Sequence, residues 1–211
     1  MATRQDTLRT SDGMRLECEL GPLPTGEPRG AAVICHPHPL GGGDMHNHVV
    51  MALSRAARES GLVALRFNFR GTGRSGGVHG GGAKEVADVE AAAARARELV
   101  PGGVLVIMGY SFGSAVAARW LATGGKADAL VAVALPEASG APDLGGVAAL
   151  LVAGALDDIS PLGFNRPLAS EGRVEVVTLP GTDHFFGGAL GSLEETVRGF
   201  LAKVLPLGSR Q

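Results

Sequence analysis

Five short stretches of the chain are apolar without interruption: residues 31–35, 62–65, 104–108, 129–135 and 147–152. A strand that is apolar on both faces must be covered on both faces, so such runs belong inside a parallel sheet sandwiched between helices. Residues 14–20 follow another rule. There Met14, Leu16, Cys18 and Leu20 alternate with Arg15, Glu17 and Glu19, the period of a strand buried on one side only and suited to a sheet edge. Residues 173–179 supply a further strand.

Apolar residues at helical spacing fill the intervals: Val50, Leu53 and Ala57; Val86, Val89, Ala93 and Val100; Val116, Trp120 and Leu121; Leu193, Val197, Phe200, Leu201 and Val204. Ser192 and Glu195 form a capping box ahead of the last of these. The alternation predicts an open α/β sheet, mostly parallel after an antiparallel start, with helices on both faces. Its ligand site should lie at the carboxyl ends of the strands. The length of 211 residues suits a single domain, 1–211, in which the segments 21–30, 71–82 and 136–146 are surface loops.

Composition narrows the function. With 45% hydrophobic and 19% charged residues the chain can bury a large core, and a net charge of −2 lacks the basic footprint of a nucleic-acid or anionic-membrane binder. A small molecule is the expected partner. No run approaches the ~18 apolar residues of a membrane span and no apolar leader precedes the first strand, so the expectation is a soluble cytoplasmic protein. The two cysteines, Cys18 and Cys35, lie in strand-like runs and are expected to be free and buried.

The most informative turn is Gly109-Tyr110-Ser111-Phe112-Gly113, which follows the strand 104–108 and opens the helix that starts near Ser114. A G-x-S-x-G in that setting is a nucleophile elbow, a turn tight enough to expose Ser111 at a helix N-terminus. A serine hydroxyl needs a base, and the base needs an orienting carboxylate. Both follow in chain order. Asp157 and Asp158 come after the strand 147–152, and His184 comes after the strand 173–179. The expected triad is Ser111, His184 and Asp157, with Asp158 as a neighbour. Acyl transfer also needs oxyanion donors. The N–H of Phe112 is one, and because Pro37 and Pro39 carry no N–H, His38 is assigned the other, with Leu40 as the fallback.

Taken together, the segments His36-Pro37-His38-Pro39, Gly42-Gly43-Asp44-Met45-His46-Asn47, Asn68-Phe69-Arg70-Gly71-Thr72-Gly73-Arg74-Ser75, the elbow, Asp157 and residues 181–186 resemble the α/β-hydrolase superfamily. The chain is most similar to its small, lidless bacterial serine hydrolases related to dienelactone hydrolases and carboxylesterases. The resemblance implies an α/β-hydrolase fold without a cap domain and a cofactor-free serine hydrolase. A cap would be inserted after the strand 129–135, where the eleven residues 136–146 suffice only for a loop. The chemistry expected is hydrolysis of carboxyl esters of small soluble acids, and a thioesterase or amidase would use the same triad.

Two rival patterns share the chain. His36, His38, His46 and His48, with Asp44, crowd into 13 residues and could be read as a zinc-dependent hydrolase. That reading leaves the elbow, Asp157 and His184 without a purpose. Gly71-Thr72-Gly73-Arg74-Ser75-Gly76 matches a dinucleotide fingerprint, yet no helix opens at its third glycine. No metal and no cofactor are therefore expected.

Overall fold

In a computed structural model of the chain, the described residues are 3–137, 143–161 and 173–206. The elements run β1 (Arg4–Arg9), β2 (Arg15–Leu20), β3 (Gly30–Cys35), a 3-10 turn (Pro39–Gly41), α1 (His48–Glu59), β4 (Leu62–Phe67) and α2 (Val86–Leu99). They continue with β5 (Val104–Tyr110), α3 (Phe112–Ala122), β6 (Ala129–Val133), β7 (Ala148–Gly154), β8 (Val174–Leu179) and α4 (Leu190–Val204). The strands form an 8-stranded sheet ordered β1-β2-β4-β3-β5-β6-β7-β8. Only the β1–β2 and β2–β4 pairs are antiparallel. The expected α/β architecture is the one observed.

The uninterrupted apolar runs divide their side chains by period two. Ala31, Val33 and Cys35 of β3, with Leu105 and Ile107 of β5, pack under α2 and α3 against Val89, Ala93, Val116 and Trp120. Ala32 and Ile34, with Val106 and Met108, face α1 and α4 through Val50, Leu53, Val197 and Phe200. Among the described residues, two helices on each face thus cover a sheet that could not have been left bare on either. Chain order reverses between β3 and β5. β4 lies on one side of β3 and β5 on the other, so the loops leaving β3 and β5 diverge and open a crevice at the strands' carboxyl ends.

Three sequence expectations need correction. The strand over residues 14–20 is not the edge, because β1 pairs along the whole of β2. β1 escaped notice because Leu8 is its one buried apolar side chain, and a strand solvated on most of its surface carries no hydrophobic period. The capping box at Ser192 and Glu195 is not formed. Helix α4 begins at Leu190 with Ala189 at its N-cap, because Phe186, buried at φ 57°, turns the chain and its carbonyl accepts the Ala189 N–H. Ser192 therefore lies inside the first turn. Finally, β6 stops at Val133, where Ala134 takes φ 48° and donates its N–H to Val152 O.

Candidate active site

β5 enters the elbow at Ser111, whose φ of 52° and ψ of −119° lie where non-glycine residues seldom go. What holds that strain is local. The Ser111 N–H donates to Val133 O at 2.8 Å, and its carbonyl accepts the N–H groups of Ser114 and Ala115 and the Ser114 hydroxyl. Both glycines of the motif are required by space. A Cβ on Gly109 would come within 2.5 Å of the Gly113 carbonyl, and one on Gly113 within 2.4 Å of Cys35 O. A side chain at Gly109 would push β5 off the start of α3, and one at Gly113 would push the turn off β3. Because α3 starts at Phe112, the positive end of its dipole lies at the Ser111 hydroxyl.

β8 and β7 deliver the partners. Ser111 Oγ lies 3.0 Å from His184 Nε2, and His184 Nδ1 lies 2.9 Å from Asp157 Oδ2 and 3.0 Å from Oδ1. With the Nδ1 proton donated to the carboxylate, Nε2 presents its lone pair to the serine hydroxyl. The carboxylate is itself pinned, for Oδ1 also accepts the N–H groups of Ile159 at 2.9 Å and Ser160 at 2.8 Å. The Ser160 hydroxyl ties this turn to Leu135 O beyond β6. Asp157 and His184 are buried, while Asp158 is exposed and makes no side-chain hydrogen bond among the described residues. The structure thus brings Ser111, His184 and Asp157 together and leaves Asp158 outside.

Two groups that sequence reasoning missed hold the His184 loop. The Tyr110 hydroxyl donates to His184 O at 2.8 Å, and burial raises the Tyr110 pKa to about 12, which keeps that proton in place. His48, at the start of α1, donates from Nε2 to Phe185 O at 2.7 Å. Neither carries a signal in the sequence, since the motif leaves position 110 free and His48 acts across a gap of 137 residues.

The opposite wall is made of loops leaving β3 and β4. The His38 and Phe112 N–H groups have no hydrogen-bond acceptor among the described residues, whereas the Leu40 N–H is taken by His38 Nδ1 at 3.2 Å. Ring packing fixes this wall. His38 and Phe112 lie 5.0 Å apart between centroids, Phe69 is 5.5 Å from Phe112, and His36 is 4.8 Å from Phe69. A groove of about 480 Å³ runs beside it between Leu40, Gly43, Thr72, Val78 and His79. Phe185 is exposed on the far side, but Phe186 is wholly buried and packs on Tyr110, so it supports the site from below and is no part of the cleft wall.

The histidine cluster read as a possible zinc site is dispersed. His36 donates from Nδ1 to Pro37 O at 2.7 Å and accepts the Phe69 N–H on Nε2 at 3.0 Å, so both nitrogens are used. Burial lowers its pKa to about 4 and keeps the ring neutral. His46 pairs with Glu19, and His48 is engaged at Phe185. Among the described residues no group of three His, Cys, Asp or Glu side chains is arranged to hold a metal ion. The glycine segment 71–76 lies after β4, ten residues ahead of α2, so it opens no helix for a pyrophosphate. Cys18 and Cys35 are free and buried, with thiols pushed well above their ordinary range by desolvation. Among the described residues no helix is long and apolar enough to cross a membrane.

Comparison with known proteins agrees with this fold. Residues 26–161 match the family model for serine aminopeptidases of the S33 type. A solved α/β serine hydrolase without a lid from Xanthomonas campestris superposes with a TM-score of 0.86 at 30% identity, over 98% of this chain and 97% of that one. An α/β serine hydrolase homologue from Coxiella burnetii gives 0.80 at 32%, over 94% and 97% of the two chains. An uncharacterized protein of Rickettsia prowazekii is 39% identical over 87 residues, 41% of this chain, and the match spans only 37% of that relative's length.

Proposed function

The chain belongs to the S33 serine aminopeptidase family of α/β serine hydrolases, and from that premise we propose that it cleaves carboxyl esters of small soluble acids through Ser111, His184 and Asp157. The observation that carries this reading is the unbroken line of contacts at 3.0 and 2.9 Å from the Ser111 hydroxyl through His184 to Asp157, with the adjoining Phe112 N–H, at the serine end, left without an acceptor among the described residues. Ser111 Oγ attacks the ester carbonyl as its proton passes to His184 Nε2, and Asp157 stabilises the imidazolium. The Phe112 and His38 N–H groups receive the oxyanion. Collapse breaks the C–O bond to the alcohol, which leaves with the proton from His184. Water, activated by the same imidazole, then hydrolyses the acyl-serine and restores the free hydroxyl. No metal or cofactor takes part in this scheme.

The acyl preference follows from the open groove beside the loops leaving β3 and β4, with the exposed Leu40 and Val78 among its lining residues. An open groove buries a short chain and leaves a long one in water, and each further methylene adds at most ~0.8 kcal/mol where a wall exists. The test combines a fluorophosphonate label with a panel of acyl esters, thioesters and anilides. Labelling at Ser111 and highest kcat/KM on ester chains of roughly two to six carbons are expected. Faster turnover of anilides than of matched esters replaces the ester reading with an amidase. Steady gains up to twelve carbons, or a jump in rate at a micelle surface, overturn the small-acyl reading.

A further inference from the structure

The segment 71–82 holds a single aromatic ring, His79, among seven glycines. That ring lies 4.9 Å from His38 and 5.2 Å from Phe112, while His38 and Phe112 are 5.0 Å from each other. The three rings form a closed triangle. Two of its corners carry the N–H groups that receive the oxyanion in the reading above, on which this inference rests. The third is anchored from below by Glu85, wholly buried at the start of α2, whose carboxylate accepts the Gly80 N–H at 2.6 Å and the Gly82 N–H at 2.8 Å. Glu85 Oε1 also lies 3.0 Å from His79 Nδ1, a close approach without hydrogen-bond geometry.

From this we infer that His79 is a positioning residue for the oxyanion hole: its ring, on a loop held by Glu85 through the Gly80 and Gly82 N–H groups, sets the separation of His38 from Phe112. The physical need is plain. His38 stands on a loop between two prolines, and Phe112 on the first residue of a helix, so no backbone hydrogen bond joins the two donors. A flat ring packed on both is what fixes their spacing, through edge and face contacts that an aliphatic side chain does not reproduce. Loops made mostly of glycine supply no such surface themselves. An oxyanion hole acts only if its donors wait at hydrogen-bond distance from where the charge develops, and misplacement by about 1 Å costs roughly 100-fold.

The experiment compares wild type, His79→Leu and His79→Phe on one short ester, with thermal melting of each. The leucine variant, similar in bulk but without a ring, should lose kcat by roughly 10- to 100-fold with KM nearly unchanged. Its inhibition constant for an alkylboronic acid, whose tetrahedral adduct on Ser111 uses the oxyanion position, should weaken by the same factor. The phenylalanine variant should return to within about threefold of wild type. If the leucine variant melts below the assay temperature, His79→Gln takes its place. A leucine variant within threefold of wild type, or a phenylalanine variant no faster than the leucine one, overturns the inference. Failure of the underlying reading looks different: ester hydrolysis then survives Ser111→Ala.

Discussion

The two walls of the candidate site are held by different forces. On the triad wall directional hydrogen bonds fix Asp157, through two backbone N–H groups, and His184, through Asp157 at its ring and Tyr110 at its carbonyl. On the loop wall His38, Phe69, His79 and Phe112 pack ring on ring, and His36 packs on Phe69 while its two ring nitrogens are hydrogen-bonded to backbone. Hydrogen bonds are intolerant of a changed atom, whereas packing is intolerant of a changed shape. The first wall should respond most to a single altered oxygen or nitrogen and the second most to a lost ring.

The largest effect tests the triad wall at its centre. Ser111→Ala should lower ester hydrolysis by roughly 10⁴-fold or more with melting little changed, as measured by initial rates beside a thermal scan. Asp157→Asn should cost about 10⁴ in kcat, because an amide cannot hold His184 in the required tautomer, while Asp158→Asn stays within about threefold. A greater loss in the second variant would reassign the orienting carboxylate.

On the loop wall the largest effect is on stability. His36 titrates near 4 in the fold and near 6.5 when unfolded, so between those values the unfolded chain binds the extra proton. Stability is complete above pH 6.5 and is lost as the pH falls towards 4, by about 3 kcal/mol for a shift of this size. Urea unfolding at pH 7 and pH 4.5 measures it, and His36→Gln should flatten the slope. A slope that persists in that variant assigns the effect to other groups.

The sharpest test of the comparison is a matched pair. Tyr110→Phe deletes one hydroxyl from the triad wall and should lower kcat about tenfold, in line with a lost hydrogen bond of 1–1.5 kcal/mol. Phe112→Tyr adds one hydroxyl to the loop wall but keeps the ring and its backbone N–H, and should stay within about threefold. Equal effects would show that the two walls are not held differently.

Much of this was legible in the sequence. The apolar runs announced a sheet covered on both faces, and Ser111, Asp157 and His184 could be picked out because each follows a strand and the three stand in a usable order. The rest lacked a local signal. β1 has one buried apolar residue, Tyr110 occupies a position the motif leaves open, and Ser192 with Glu195 matched a capping box that the buried turn at Phe186 pre-empted.

By itself, then, the sequence determined which segments must be buried and which chemistry-bearing residues stand at strand ends, because burial period and turn residues are properties of neighbours along the chain. Only the tertiary structure decided that Asp157 and not Asp158 meets His184, that His36 spends both nitrogens on the backbone, and that His79 completes a ring triangle with His38 and Phe112. These depend on distances between residues far apart in the chain. Such distances are set by how the sheet twists and packs, and no local pattern records them.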